Sequence, residues 1–215
     1  TNWGQDSSFA GIKVAQGNQD SGGVGDFFYG PPSGFLALCT KNLPEPAVVP
    51  SKNFNNVLYT GTGSSNAISV GFQPDWVWIK MRTQTYDHNI FDSVRGAGGK
   101  YLYTNATDAE ATNAERLKTF DSNGFTVGTQ DAINENTHTF VAYNWKANGS
   151  GSANTNGSIN TTSTSANVDA GFSISTYTGN DTAGATVGHG LSQAPDFIMC
   201  KRRSNTGNWT IFWNN

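Results

Sequence analysis

The chain has 215 residues, of which 36% are hydrophobic, 13% charged and 12% aromatic, and its formal net charge is −3. So little charge excludes helical bundles and coiled coils, because exposed helix faces are built from Lys, Glu and Arg, and the aromatic content argues against a disordered chain. Nucleic acid and membranes are not expected partners, since the sequence has no cluster of cations and no apolar run of about 20 residues. The composition, with 25 glycines, predicts an all-β protein made of short strands and turns.

Residues 1–46 contain a single strand-like run, Phe35 to Cys39, followed by a proline-rich stretch. One strand cannot close a sandwich, so this segment is expected to be the C-terminal remainder of a β domain. The second cysteine, Cys200, lies in another apolar run. The two cysteines show no disulfide spacing, and we expect both to be buried free thiols.

Residues 47–147 have the pattern of a first β-sandwich module. The apolar run after Pro74 predicts a central strand covered on both faces, with Trp76 and Trp78 on one face and Val77 and Ile79 on the other. Further strands are predicted at His88 to Val94, Lys100 to Thr104, Gly124 to Gly128 and Thr137 to Trp145. Within the last of these, alternation places Thr139, Val141, Tyr143 and Trp145 on one face. Helix-forming residues cluster only in 107–117, where one or two helical turns are expected.

Residues 148–167 consist almost entirely of Gly, Ser, Thr and Asn. Such a stretch buries too little apolar surface to offset its own ordering entropy, which favours a linker or an extended surface loop. Residues 168–215 then begin a second, incomplete copy of the module.

The internal repeat is the most informative pattern in the sequence. Residues 74–91 recur as 195–212 at an offset of 121 residues, and Tyr59-Thr60-Gly61 recurs as Tyr177-Thr178-Gly179. Each copy is expected to form an antiparallel strand pair in the same register, because a one-residue slip would reverse the apolar face. The copies diverge most where Gly207 stands for Tyr86 and Trp209 for His88.

A search for catalytic and metal-binding patterns finds little. The three histidines have no metal-ligand spacing, and the glycine-rich run 22–25 precedes apolar residues rather than a helix, so no metal or cofactor is expected. Two carboxylate pairs have glycosidase-like residue types, Asp87 with Asp92 and Glu110 with Glu115. Any β protein of this size offers such pairs, and no catalytic residue is predicted.

Four stretches of the chain carry a family resemblance. Residues 25–44 look like the closing strand of the SPRY-like domain found in structural proteins of tailed bacteriophages. Residues 71–80 continuing to 91–96, residues 122–128, and residues 170–179 with 187–196 resemble the module that follows it in those proteins. The resemblance implies tandem β-sandwich modules without a cofactor. The overall prediction is an all-β protein of antiparallel β-sandwich or jelly-roll-like modules with an internal repeat.

The resemblance also sets the expected function. We expect a non-enzymatic structural virion protein of the tail-fibre or appendage type, with a role in host attachment, located in the extracellular phage particle. Expected partners are copies of the same chain, with a trimer favoured, other virion proteins and host surface polysaccharide. The alternatives are a lectin-like glycan-binding module and a polysaccharide depolymerase. The candidate partner-contact residues are Trp3, Tyr86, His88, Tyr101, Tyr103 and Trp209.

Overall fold

The computed structural model describes residues 12–44, 46 and 48–214. The chain divides into two compact units, Thr1–Ala47 and Val48–Asn215. All pairings between the strands are antiparallel. The all-β class predicted from composition is therefore confirmed.

In the first unit, the described residues 12–44 contain no strand. They include a 3-10 helix at Thr40–Asn42 and an isolated bridge between Asn18 and Phe27. The strand predicted at Phe35 to Cys39 is wrong: Phe35 is 67% exposed, and the described part of this unit provides no neighbouring strand for the run to pair with. Cys39 is free, as predicted, but only half-buried.

The carboxylate of Asp20 organises this first unit in place of a sheet. It accepts hydrogen bonds from the backbone N–H groups of Gly22, Val24 and Ala37 and from the side chain of Asn42. These bonds, led by the one from Ala37, lower the pKa of Asp20 to about 2 against the cost of desolvation. The carboxylate therefore stays ionised in all but strongly acidic solution.

The second unit carries a 3-10 helix at Pro50–Lys52, a short α-helix and all the strands described. The helix α1 spans Asp131–Asn134. The strands in chain order are β1 (Phe54–Thr60), β2 (Asn66–Ser69), β3 (Trp76–Met81), β4 (Asn89–Asp92), β5 (Lys100–Tyr103), β6 (Ala111–Thr112), β7 (Leu117–Asp121), β8 (Gly124–Val127), β9 (Thr139–Trp145), β10 (Thr161–Asn167), β11 (Phe172–Tyr177), β12 (Phe197–Lys201) and β13 (Trp209–Trp213).

Two sheets form a β-sandwich. One has six strands in the order β1-β9-β3-β4-β5-β6, and the other has three in the order β2-β8-β7. Their facing sides enclose one core, because alternate residues of each strand are apolar and point inward. The core residues include Ile68, Val77, Ile79, Met81, Phe91, Leu117, Phe125, Val127, Phe140 and Ala142.

The strand β3 lies inside the six-stranded sheet, as predicted. Val77 and Ile79 have no exposed surface, whereas Trp76 and Trp78 are half-buried on the opposite face. The four other strands predicted in this module are confirmed as β4, β5, β8 and β9. The expectation of full cover on both faces of β3 is wrong, because the side that carries the tryptophans is partly open.

Two predictions in this unit are corrected by pairing. Residues 107–117 form no helix: Ala111 and Thr112 pair with β5 instead. The linker expected at 148–167 ends in β10, which pairs with β11 over residues 161–167. Its small polar residues can be buried because their hydroxyls bond one another, as Thr164 does with Thr161 at 2.9 Å and with Ser175 at 2.9 Å.

The strands of the two repeats pair in equivalent registers. In the first copy Trp76 lies opposite Asp92 and Val77 opposite Phe91. In the second copy β12 and β13 form a two-stranded sheet, and the residues opposite each other are Phe197 with Trp213 and Ile198 with Phe212. All four positions differ by the predicted offset of 121, so the prediction of two equivalent strand pairs is confirmed.

No helix among the described residues is both long and apolar enough to cross a membrane.

Candidate functional site

The face of the six-stranded sheet that points away from the three-stranded sheet is called the outer face here. Residues directly opposite each other on antiparallel strands share a face, so β1, β9 and β3 align their outer residues in rows across the sheet. The first row is Phe54, Trp145 and Trp76; the second is Asn56, Tyr143 and Trp78; the third is Leu58, Val141 and Lys80. We call these three rows the aromatic platform.

The rings of the platform contact one another. The ring centroids of Phe54 and Trp145 are 4.8 Å apart, and those of Trp78 and Tyr143 are 6.1 Å apart. His88, just before β4, lies diagonally across from Trp78, and the centroids of the two rings are 6.0 Å apart. The rings of Tyr143, Trp78 and His88 therefore form a continuous aromatic strip.

Among the described residues, Phe172 of the second repeat packs on the first row. Phe172 of β11 stacks on Trp145 at a centroid distance of 6.1 Å and meets Trp76 edge-on at 6.4 Å. The other two rows remain accessible, with Leu58 64% exposed and Tyr143 38% exposed. Asn56 beside Tyr143 is exposed as well. The accessible surface thus combines apolar side chains with amide and hydroxyl groups.

The charged and titratable groups at the platform are held in place. The Lys80 ammonium donates to the backbone oxygens of Met81 at 2.7 Å and Gln84 at 3.0 Å, which anchors the loop between β3 and β4. Burial and then the charge of Lys80 lower the pKa of His88, against an opposing contribution from Asp87. This shift favours the uncharged form of the His88 ring.

The residues predicted as partner contacts are only partly brought together. Trp3 lies outside the described residues. His88 contacts the platform residue Trp78, and Tyr86 is exposed in the loop between β3 and β4. The remaining three, Tyr101, Tyr103 and Trp209, lie elsewhere and are engaged by neighbouring residues.

Tyr101 and Tyr103 lie against a buried arginine. The guanidinium of Arg116, a residue that is 5% exposed, sits 3.6 Å from the ring centroid of Tyr101 and donates to the Tyr103 hydroxyl at 2.8 Å and to Asn89. Burial raises the pKa of Tyr103, although Arg116 opposes the shift. Since the arginine lies over the Tyr101 ring, this cluster is explained by packing rather than by ligand stacking.

Trp209 joins the two repeats. Its indole N–H donates to the backbone oxygen of Tyr103 at 2.8 Å. The backbone N–H of Gly207 donates to Thr107 at 2.8 Å, so both residues that diverge from the first copy contact it. Sequence divergence at these positions therefore marks the contact between the copies.

The sequence did not identify the platform residues Tyr143, Trp78, Leu58 and Phe54 as candidate contacts. Alternation grouped Tyr143 with Trp145, and Trp76 with Trp78, but it did not tell which face of each strand is covered. Leu58 and Phe54 had no distinguishing pattern. The signal that could have found them is the pairing of β9 between β1 and β3, which joins segments far apart in the sequence.

The candidate carboxylates are bound to other side chains. Asp92 contacts Arg95 at 2.5 Å, and Glu110 contacts both Arg95 at 3.2 Å and Arg203 at 2.8 Å. Burial raises the pKa of Glu110, whereas the hydrogen bond from Arg203 and the charges of Arg95 and Arg203 lower it. The lowering effects are together larger, so the pKa of Glu110 lies below its usual value.

The other two candidate carboxylates have local partners. Glu115 pairs with Lys118 and accepts from Thr129, and Asp87 accepts from Asn105. Among the described residues, no group of three or more His, Cys, Asp or Glu side chains could hold a metal ion.

One known protein family matches nearly the whole of the second unit, including all of its strands. Residues 49–215 match the family described as a domain of unknown function (DUF7483). The chain belongs to this family. No curated protein and no solved structure matches the chain.

Proposed function

We propose that this chain is a non-enzymatic structural protein of a tailed-phage virion, of the tail-fibre or appendage type, and that its aromatic platform contacts host surface polysaccharide. The observation that carries the glycan proposal is the second platform row, in which Asn56, Tyr143 and Trp78 lie side by side on a sheet surface. The virion assignment is supported by the resemblance of four sequence stretches to phage structural proteins.

The geometry of the row suits a sugar chain. Flat aromatic rings offer an apolar surface to the C–H face of a sugar, while the Asn56 amide and Tyr143 hydroxyl can bond its hydroxyl groups. Neighbouring strands lie about 4.8 Å apart, so a row across three strands extends roughly 10 Å. Because the residues project from a paired sheet rather than from a loop, the surface is preorganised.

The carboxylates favour binding over hydrolysis. A glycosidase uses one protonated and one free carboxyl group on either side of the substrate bond. Here Glu110 is paired with two arginines and Asp92 with one.

Assembly of several copies, with a trimer favoured, remains part of the proposal, and a monomeric mass of the full-length protein in solution would contradict it.

Calorimetric titration with purified host surface polysaccharide tests the glycan contact. We expect Tyr143→Ala to weaken binding about tenfold, because one stacking ring is lost, and Trp78→Ala to weaken it at least as much. The control is Trp213→Ala, which removes an aromatic side chain that is 67% exposed and lies outside the platform. Equal affinity of all three variants and the native chain would rule out the platform as the contact surface.

A further inference from the structure

We propose that the polysaccharide bound by the aromatic platform is an acidic one, and that Arg82, at one end of the platform, binds the carboxylate of a uronic-acid sugar. This inference rests on the proposed glycan contact and names the class of sugar that the surface selects. It is carried by the second copy of the repeat, in which the equivalent arginine, Arg203, holds a carboxylate.

Arg82 lies in a fourth row, which follows the platform along the same strands. Its backbone N–H donates to the oxygen of Thr139 at 2.8 Å, and Thr139 lies opposite Thr60 of β1. The alternation of β3 places Arg82 on the face that carries Trp78 and Lys80, and its side chain is exposed. Trp78 and Arg82 are separated by roughly 13 Å along an extended strand, so a chain of a few sugar units can contact both.

The surface formed by these rows is basic, although the chain as a whole has a net charge of −3. None of the residues in the platform and the fourth row is Asp or Glu, whereas Lys80 and Arg82 are cations. The acidic residue in the loop between β3 and β4, Asp87, accepts a hydrogen bond from Asn105. A local positive charge attracts anionic ligands, so this surface favours an acidic polysaccharide over a neutral one.

The second copy shows which group an arginine at this position binds. At the offset of 121 residues, Arg203 is the equivalent of Arg82, and it donates to both carboxylate oxygens of Glu110, at 2.9 and 2.8 Å. The planar guanidinium matches the two oxygens of a carboxylate, and such paired bonds are both strong and specific. Within residues 48–214, the guanidinium of Arg82 forms no hydrogen bond or ion pair. Its donors are therefore available to the carboxylate of a ligand.

The residues around the two arginines favour a sugar over a protein segment in the first copy. In the second copy, the indole N–H of Trp209 donates to a backbone oxygen of the first copy at 2.8 Å. The equivalent of Trp209 is His88, whose ring contacts the platform residue Trp78 instead. The first copy thus keeps the arginine that binds a carboxylate, but it replaces the indole that binds a protein backbone. Beside Arg82 it presents aromatic rings, which suit the C–H face of a sugar.

The test uses an array of purified bacterial capsular polysaccharides, each printed in its native form and after chemical reduction of its carboxyl groups to alcohols. We expect the chain to bind carboxylated polysaccharides and to lose about tenfold in affinity when they are reduced, because the paired bonds to Arg82 are lost. Arg82→Ala should weaken binding of the native polymers by about the same factor, and binding of the reduced polymers should not change. The matched control is Arg202→Ala, which removes an exposed arginine outside the platform and should leave all affinities unchanged.

Tyr143→Ala distinguishes failure of this inference from failure of the glycan contact. Equal binding of native and reduced polymers, with both weakened by Tyr143→Ala, would overturn the role of Arg82 and leave the glycan contact standing. Absence of binding to every polysaccharide would contradict the glycan contact and this inference with it. A synthetic peptide of residues 104–112, which include Glu110, is printed on the same array. If it binds more tightly than any polysaccharide and Arg82→Ala abolishes its binding, Arg82 contacts a protein segment and the inference is wrong.

Discussion

The strand pairs β3–β4 and β12–β13 have the same register and different surroundings. Phe91 in the first is 1% exposed, and the equivalent Phe212 in the second is 53% exposed. Register is a local property, fixed by the alternation of each strand and the length of the turn between them. Burial is set by the other strands, which surround β3–β4 and are missing around β12–β13 in the described part of the chain.

The second strand pair is attached to the first copy mainly near its turn. Arg203 forms a bidentate ion pair with Glu110, at 2.9 and 2.8 Å, and the backbone N–H of Glu110 donates to the oxygen of Arg203. Lys201 and Gly207 add bonds to the oxygen of Thr107. Polar bonds here replace the apolar packing that stabilises β3–β4, and the predictions below address that difference.

The largest effect is expected from the matched phenylalanines. Phe91→Ala should reduce the free energy of unfolding by about 3–5 kcal/mol, because it opens a cavity in the sandwich core. Phe212→Ala should cost about 1 kcal/mol or less, because the side chain is already half in water. Urea unfolding of both variants checks the contrast, and equal costs would show that burial does not separate the two copies.

A smaller effect is expected from the arginines at equivalent positions. Arg203→Ala should cost about 1 kcal/mol, a modest value because its side chain is 40% exposed and water screens the ion pair. Hydrogen exchange should accelerate in residues 197–213 and stay unchanged in β3. Arg82→Ala removes the equivalent, exposed side chain of the first copy and serves as the control. Unchanged exchange in Arg203→Ala would contradict the role of the ion pair.

The smallest effect is a dependence on pH. The pKa of Glu110 is lower in the folded chain than its usual 4.5, so its ionised form stabilises the fold above that pH. This contribution is lost as the pH falls below 4.5 towards the lowered pKa. We expect hydrogen exchange in β12 and β13, corrected for the intrinsic rate, to increase over that range. The same scan of Glu110→Gln should show no such step, and a step of equal size there would assign it to another group.

The sequence alone predicted the elements that depend on local patterns. The apolar run of β3, the alternation of β9 and the repeated strand pair were recognisable because side-chain period and turn residues act within about ten residues. It failed where a local pattern was weak or misleading. Residues 107–117 contain helix formers, but Ala111 and Thr112 pair with β5, and residues 161–167 look like a linker but form a hydroxyl-lined strand.

Only the tertiary structure decided which faces are covered and which side chains form the candidate site. Tyr143 and Trp78 become neighbours because β9 inserts between β1 and β3, a pairing of segments about 60 to 90 residues apart along the chain. The alternation of a strand defines two faces without saying which one another sheet will cover. That choice depends on the sum of contacts made by strands distant in sequence, and for this reason Phe91 is buried and Phe212 is not.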